Sequence, residues 1–285
     1  MKIIECPRDA MQGLEKFIPT TQKAAYINQL LKVGFDTIDF GSFVSPKAIP
    51  QLRDTADVLK QLDRKNSKSK LLAIVANERG ADDALTFEEI DYLGFPLSIS
   101  ETFQHRNTNK SIAEAMITVE AIQQKCEKKK RTLVTYISMG FGNPYGDAYD
   151  VGIVEEFSEK LSALGITIIS LADTIGVSTS GQITYLFKTL VARFPEIEFG
   201  AHLHSNPATA TEKISAAWQA GCQRFDGAIK GFGGCPMAED ELVGNIATEN
   251  IIAYLTERGI NLELDQTHFS KALTLAEEIF PVNHS

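Results

Sequence analysis

Short apolar segments alternate with amphipathic segments along the whole chain. The apolar segments are rich in Ile, Val, Leu, Phe and Thr, which is typical of β-strands. Eight of them stand out: KIIEC, FDTIDF, LLAIVA, FPLSIS, TLVTYIS, ITIISL, EFGAHLH and RFDGAI. The segments between them carry apolar residues about three to four positions apart, the spacing of one helix face.

The clearest helical segments are TTQKAAYINQLLKVG, SIAEAMITVEAIQQKC, DVGIVEEFSEKLSALG and NPATATEKISAAWQAG. Gly34, Gly165 and Gly221 end three of them, where a left-handed residue commonly closes a helix. Eight strand–helix units in 285 residues predict an α/β fold, a (β/α)8 TIM barrel that forms a single domain over 1–285. An open, doubly wound sheet is the alternative.

Composition narrows the class of protein. The chain is 44% hydrophobic and 23% charged with a net charge of -9, which is typical of a globular protein and disfavours nucleic-acid binding. Its four cysteines show no CxxC spacing, and the opening MKIIECPRDA is too short and polar for a signal peptide. No apolar run approaches the ~20 residues of a membrane span. We therefore expect a cytoplasmic protein without a membrane or nucleic-acid partner.

A barrel enzyme builds its active site at the C-terminal ends of its strands. His202 and His204 lie at that end of the seventh strand, and their i, i+2 spacing places both rings on one face. Hydrogen-bonded core histidines are the plain alternative. Two histidines that end an apolar strand favour metal ligands.

Other polar residues are expected at the same rim. Arg8 and Asp9 follow the first strand, although a salt bridge between these neighbours would also explain them, and Asn245 follows the eighth strand in GNIATE. Asp9, His202, His204 and Asn245 would supply two nitrogen and two oxygen ligands. Such a set suits Mg²⁺, Mn²⁺ or Zn²⁺ and does not single out one of them.

A glycine-rich segment, GFGGCPMAED, contains Cys235. Its glycines would let the backbone fold over a ligand and move away again, so that Cys235 could act as a nucleophile or a proton donor. An inert loop cysteine is the alternative. The other cysteines are expected in the core: Cys6, Cys126 and Cys222.

Six stretches resemble the 3-hydroxy-3-methylglutaryl-CoA lyases, a family of metal-dependent TIM-barrel enzymes. They are PRDAMQ, SFVSPKAIPQ, SLADTIGVSTSG, AHLH, GFGGCP and GNIATE, and they occur in the family's order over nearly the whole chain. The RD and HxH motifs belong to the wider superfamily, whereas SFVSPK and GGCP are specific to the lyases.

The resemblance implies cleavage of 3-hydroxy-3-methylglutaryl-CoA, a small acyl-CoA, to acetyl-CoA and acetoacetate by a homodimer. It implies that Arg8 polarises the thioester carbonyl and that Cys235 is the acid of a lid. It also implies catalytic roles for Asp39 and Asp173 and substrate binding by Gln12, Ser170 and Asn77. For the four metal ligands named above, it favours Mg²⁺ or Mn²⁺, with Zn²⁺ also compatible.

The chain departs from the family pattern at three positions. Asp39 stands where the lyases carry Glu, Ser205 where they carry Asp, and Met237 where they carry an aromatic residue. The alternatives are therefore another 3-hydroxyacyl-CoA lyase, an acetyl-CoA-dependent synthase of the same superfamily, or a non-catalytic metal-binding barrel. Arg106 and Lys110 follow the fourth strand and are either contacts for CoA phosphates or solvated surface charges.

Overall fold

The protein is a closed barrel of parallel strands in a computed structural model that describes residues 1–234 and 243–280. Neighbouring strands pair in chain order, and β1 pairs with β8 to close the barrel. The predicted (β/α)8 barrel is confirmed and the open sheet is excluded. The strands are β1 Lys2–Glu5, β2 Thr37–Ser42, β3 Lys70–Ile74, β4 Tyr92–Ser98, β5 Thr132–Ser138, β6 Ile168–Asp173, β7 Glu198–Leu203 and β8 Arg224–Gly227.

Helices follow the strands and surround the barrel. Those in the first half are α1 Pro7–Gln12, α2 Thr20–Val33, α3 Thr55–Leu59, α4 Glu78–Ala84, α5 Glu101–Thr108 and α6 Ile112–Lys128. Those in the second half are α7 Val151–Ala163, α8 Ser180–Arg193, α9 Pro207–Gln219, α10 Thr248–Thr256 and α11 Gln266–Ile279. Short 3₁₀ turns occupy Pro50–Leu52 and Ile229–Gly231. The prediction of one domain over 1–285 also covers segments outside the described residues.

Local sequence signals explain several helix boundaries. Gly34, Gly165 and Gly221 have φ values of 91°, 79° and 100°, as expected for residues that end helices. The helix α1 was not predicted, because its six residues are too few to show a periodic pattern. Pro7 starts this helix at a position where its missing N–H and fixed φ are favourable.

Apolar residues fill both the shell between strands and helices and part of the barrel interior. The interior cluster consists of Leu72, Ile74, Tyr92, Val134, Tyr136 and Ile168. The side of the interior formed by β7 and β8 is polar: Arg224 Nη1 donates to Glu198 Oε1 at 3.2 Å, and His202 contacts Asp226. Cys6, Cys126 and Cys222 are buried free thiols, as predicted. Among the described helices, none has both the length and the apolar character that a bilayer crossing requires.

A buried carboxyl group joins the start of the chain to the last strand–helix unit. Glu5, at the end of β1, accepts hydrogen bonds from Ile229 N at 2.9 Å and from Thr248 Oγ1 at 2.6 Å. Burial raises the pKa of Glu5 from 4.5 to about 8, although these two hydrogen bonds oppose the shift. The folded protein therefore holds a proton on Glu5 at neutral pH.

The raised pKa of Glu5 predicts a pH-dependent contribution to stability. Because the folded-state pKa exceeds the unfolded value, the contribution is complete below pH 4.5 and is lost as the pH rises through about 8. The free energy of unfolding of the wild type should fall over this window relative to that of Glu5→Gln, by at most ~4 kcal/mol. Urea denaturation of both proteins from pH 5 to 9 measures the difference. A difference that is independent of pH would contradict the assignment.

Candidate active site and metal centre

Three potential metal ligands converge at the C-terminal mouth of the barrel. Asp9 in α1, His202 in β7 and His204 immediately after β7 each place a ligand atom within 4.8 Å of the others. The two imidazole centroids are 5.4 Å apart, so the rings share one side of the strand, as the i, i+2 spacing predicted. The barrel thus brings together one carboxylate and two imidazoles that are about 190 residues apart in the sequence.

Asn245 lies beside this group. Its amide nitrogen Nδ2 donates to Asp9 Oδ2 at 2.6 Å and to Phe232 O at 2.9 Å. A backbone bridge between His204 and Asn245 holds the two residues together. In this arrangement the nitrogen of the amide faces Asp9, so that ligation through Oδ1 would require the amide to turn.

The two histidines are held differently. His202 Nδ1 lies 3.1 Å from Asp226 Oδ2, which orients the ring and leaves Nε2 for a ligand. His204 is 3% exposed, yet neither of its ring nitrogens has a hydrogen-bond partner among the described residues. A buried imidazole without a partner is unfavourable unless something else occupies its nitrogen. The free ring nitrogens of His202 and His204, together with the carboxylate of Asp9, therefore fit the ligand set of a divalent cation.

The electrostatics of the group also suit a cation. Burial lowers the pKa of His204 to about 4, helped by the neighbouring His202, so its ring is neutral at pH 7. Burial would raise the pKa of Asp9, but Arg8 and the two histidines lower it to about 2. Burial would lower the pKa of His202, but the hydrogen bond with Asp226 and the negative charge of Asp226 raise it, because both stabilise positive charge at this ring.

Cys6, His202 and Asp226 form a second group with metal-ligand spacing. It is the weaker site, because burial raises the pKa of the Cys6 thiol well above its usual range and metal ligation requires the thiolate. Asp226 is moreover engaged with His202.

Arg8 is fixed beside Asp9 by four hydrogen bonds. Its Nε and Nη2 donate to Asp39 Oδ2 at 2.9 and 2.6 Å. Its Nη1 donates to Asp9 Oδ1 and to Gln12 Oε1, each at 2.9 Å. A guanidinium has five N–H donors. One N–H of Nη2 is therefore left for another acceptor among the described residues or for a ligand.

Asp39 lies behind Arg8. Its side chain is fully buried and is not among the described residues that line the cavity at the barrel mouth. Burial raises the pKa of Asp39 to about 6 despite the adjacent Arg8. These contacts suit a role in positioning Arg8, and the catalytic role predicted from the sequence stays a prediction.

The cavity at the barrel mouth has a volume of about 480 Å³. Several predicted site residues line it, and so do the two basic residues that follow the fourth strand. These lining residues are Arg8, Asp9, Gln12, Asn77, Arg106, Lys110, His202 and His204. Gln12 also donates to Asp9 Oδ1 at 2.7 Å, and Asn77 caps α4 by accepting a hydrogen bond from Gly80 N. A thioester large enough to reach Arg106 could therefore still contact the metal-ligand group.

Two other predicted residues do not line this cavity. Ser170 lies one layer deeper in the barrel, two residues before the cavity-lining Ala172, with its hydroxyl next to Gly200. Asp173 accepts hydrogen bonds from Val177 N, Ser178 and Lys213, so its carboxylate is committed to the protein. The roles predicted from the sequence, substrate binding by Ser170 and catalysis by Asp173, stay predictions. Cys235 and Met237 lie outside the described residues.

Tyr136 was not predicted as a site residue from the sequence. This residue lines the cavity and contacts the His202 ring edge-on, with centroids 5.5 Å apart. Burial raises the pKa of Tyr136, and its hydroxyl has no hydrogen-bond partner among the described residues. The sequence feature that could have identified it is its position in β5, two residues before Ser138, so that both side chains lie on the inward face of the strand. Ser138 also lines the cavity. Asp226 was missed in the same way in β8.

Comparison with known proteins gives a consistent result. A family model described as HMGL-like matches residues 2–275. The hydroxymethylglutaryl-CoA lyase YngG of Bacillus subtilis is 37% identical over 262 residues, which cover 91% of this chain and 87% of that protein. The crystal structure of the Bacillus subtilis HMG-CoA lyase has a TM-score of 0.90 and 36% identity, and the match covers 97% of this chain and 92% of that chain.

An HMG-CoA lyase from Acinetobacter baumannii, solved in complex with coenzyme A and 3-methylmalate, also has a TM-score of 0.90. It is 30% identical, and the match covers 98% of this chain and 90% of that chain. The resemblance carried by the six sequence motifs is thus confirmed along the chain. Since the family model spans residues 2–275 and the Bacillus subtilis relative is 37% identical over 91% of this chain, the chain belongs to the HMGL-like family.

Proposed function

We propose that this protein is a carbon–carbon lyase that cleaves 3-hydroxy-3-methylglutaryl-CoA to acetyl-CoA and acetoacetate. The observation that carries the proposal is the hydrogen bond between Arg8 and Asp9 at the edge of the Asp9–His202–His204 group, inside one cavity. A fixed cation for a developing enolate and a ligand set for a divalent metal therefore lie side by side. The relatives named above carry this activity in their names.

The proposed metal ligands are Asp9, His202, His204 and Asn245, with Mg²⁺ or Mn²⁺ favoured over Zn²⁺. When bound there, such a cation would supply Lewis acidity toward the substrate oxygens. Asp226 keeps His202 in the orientation that presents Nε2. Asp9 provides the only carboxylate of the set and is ionised at neutral pH, because its pKa is lowered to about 2.

Arg8 would stabilise the negative charge that forms during cleavage. A base in the cavity takes the proton of the substrate hydroxyl, and the hydroxyl oxygen becomes the ketone oxygen of acetoacetate as the bond between C2 and C3 breaks. The electron pair of that bond becomes the enolate of acetyl-CoA. The remaining N–H of Arg8 Nη2 would donate to the thioester oxygen that carries this charge. Asp39 and Gln12 would hold the guanidinium in place before the reaction, so that no reorientation is needed as the bond breaks.

A proton must then reach the enolate carbon to form the methyl group of acetyl-CoA. Cys235 is proposed as this acid on the strength of the sequence motif alone. Tyr136 would remain protonated at neutral pH because burial raises its pKa, and its hydroxyl would serve as a hydrogen-bond donor to the substrate. Arg106 and Lys110, which line the same cavity, are proposed to contact the CoA phosphates. A homodimer and a cytoplasmic location stay predictions.

A panel of 3-hydroxyacyl-CoA thioesters tests this function. The purified protein, supplied with Mg²⁺ or Mn²⁺, should release equimolar acetyl-CoA and acetoacetate from 3-hydroxy-3-methylglutaryl-CoA and should lose this activity in a chelator. Cleavage of only a different thioester, or condensation of acetyl-CoA with a 2-oxo acid, would contradict the proposal. Binding of metal without turnover of any thioester would identify a non-catalytic barrel.

A further inference from the structure

A buried lysine joins the two strands that end at the candidate metal centre. Lys213 lies in α9 and is 4% exposed. Its Nζ donates to Asp173 Oδ2 at 2.7 Å, and to Gly176 O and His204 O at 2.9 Å each. An ammonium group has three N–H donors, and all three are occupied here. Lys213 therefore ties the end of β6 to the main chain of a proposed metal ligand.

The partner of this lysine is itself firmly held. Asp173 Oδ1 accepts from Val177 N at 2.9 Å. Asp173 Oδ2 accepts from Ser178 N at 3.1 Å and from Ser178 Oγ at 2.5 Å, in addition to Lys213. The carboxylate is 1% exposed, so a buried ion pair is surrounded by hydrogen bonds that keep it in one geometry. The ammonium of Lys213 has little freedom to move.

His204 depends on its main chain for its orientation. The ring of His202 is fixed by Asp226, whereas no side chain of the described residues hydrogen-bonds the ring of His204. The segment around His204 is held at its backbone: Lys213 binds its carbonyl oxygen, and Ser205 N donates to Gly244 O at 3.1 Å. Displacement of this backbone would carry the imidazole away from Asp9 and His202.

We propose that Lys213, anchored by Asp173, is a positioning residue that holds His204 in register with the other metal ligands. The inference rests on the proposed function, because it assumes that His204 binds the cation. Ligand geometry must be maintained to within about 0.5 Å for tight binding. Removal of the ammonium would release the carbonyl of His204 and would leave Asp173 buried without its counterion.

The experiment measures Mn²⁺ binding to metal-free protein by titration calorimetry. Lys213→Met keeps the length and apolar stem of the side chain but removes the ammonium. Loss of a partner that orients a metal ligand typically weakens binding about 10- to 100-fold. We expect a weakening of at least about 10-fold for Lys213→Met. Replacement of Mn²⁺ by Co²⁺ should also give an altered visible absorption spectrum, which reports ligand geometry directly.

The chain offers a matched control in Lys23→Met. Lys23 is 2% exposed, pairs with Asp54 at 2.7 Å and donates to the carbonyl oxygen of Gln51, so it is also a buried ammonium with a carboxylate and a carbonyl. It contacts none of the proposed metal ligands in the described structure. Both variants should lose thermal stability, but only Lys213→Met should lose affinity for Mn²⁺.

Three results would overturn the inference. They are a folded Lys213→Met with wild-type affinity and spectrum, an equal loss of affinity in both lysine variants, and an absence of Mn²⁺ binding by the wild type. Only the last also overturns the proposed function, so the two failures are distinguishable. If Lys213→Met does not fold, Asp173→Asn serves in its place, because it keeps the shape of the anchor and weakens its hold on Lys213. A smaller loss of Mn²⁺ affinity is then expected, and unchanged affinity overturns the inference.

Discussion

Arg8→Gln is expected to fold and to bind metal but to lose on the order of 10³-fold in kcat, the scale set by the removal of one oxyanion donor. The amide keeps much of the bulk of the side chain and removes the charge that stabilises the enolate. That stabilisation is needed more in the transition state than in the ground state, so KM should change little. Steady-state kinetics on 3-hydroxy-3-methylglutaryl-CoA with saturating metal measure both constants.

The contacts of Arg8 sharpen this prediction. Loss of the guanidinium leaves Asp39 without its partner, and some loss of thermal stability should follow. Affinity for the metal should not fall, because the positive charge of Arg8 opposes a cation bound at Asp9. Arg8→Lys is the informative control: it keeps the charge but cannot reproduce the fork that binds Asp39 and Gln12 together, so an intermediate loss is expected. A Gln variant that melts early but turns over normally would refute the enolate mechanism.

Asp9→Asn is expected to weaken Mn²⁺ binding by about 100-fold or more and to lower turnover in proportion at limiting metal. The substitution keeps the shape of the side chain but removes the only carboxylate from the proposed ligand set. It also ends the charge pairing with Arg8, which lies 2.9 Å from Asp9 Oδ1. Calorimetry on the metal-free proteins measures affinity, and activity at rising Mn²⁺ concentration measures the recovery of turnover.

Asp36→Asn is the control for the loss of one negative charge. Asp36 precedes β2 at the opposite end of the barrel, where its carboxylate accepts a hydrogen bond from Thr37 Oγ1 at 2.8 Å. This variant should bind Mn²⁺ like the wild type. If Asp9→Asn also binds Mn²⁺ with wild-type affinity, the cation does not use Asp9 and the proposed centre is wrong.

The sequence by itself determined the barrel and the face on which its histidines lie. The strand period of two and the helix period of about 3.6 are local properties, so the eight strands and several helix ends could be predicted from short segments. The i, i+2 spacing of His202 and His204 likewise requires only that β7 is a strand. The order of the motifs along the chain then indicated the family. Arg8 and Asp9 follow β1 and Asn245 follows β8, which also places these residues at the C-terminal ends of strands.

Only the tertiary structure decided the depth and the partner of each side chain. Ser170 and Ala172 share one face of β6, but only Ala172 lines the cavity, because curvature and closure of the barrel set how far each layer lies from the mouth. The sequence motif could not show that Asp39, which is 31 residues from Arg8, accepts hydrogen bonds from its guanidinium on the side away from the cavity.

The sequence also could not show that Asp173 pairs with Lys213, because the two residues are 40 positions apart in the chain. The hydrophobic periodicity of a segment assigns each residue to one face of a strand or helix. A buried ion pair, in contrast, depends on how two elements that are distant in the sequence pack against each other. Tyr136 and Lys213 could therefore be assigned to this site only from the positions of β5 and α9 around it.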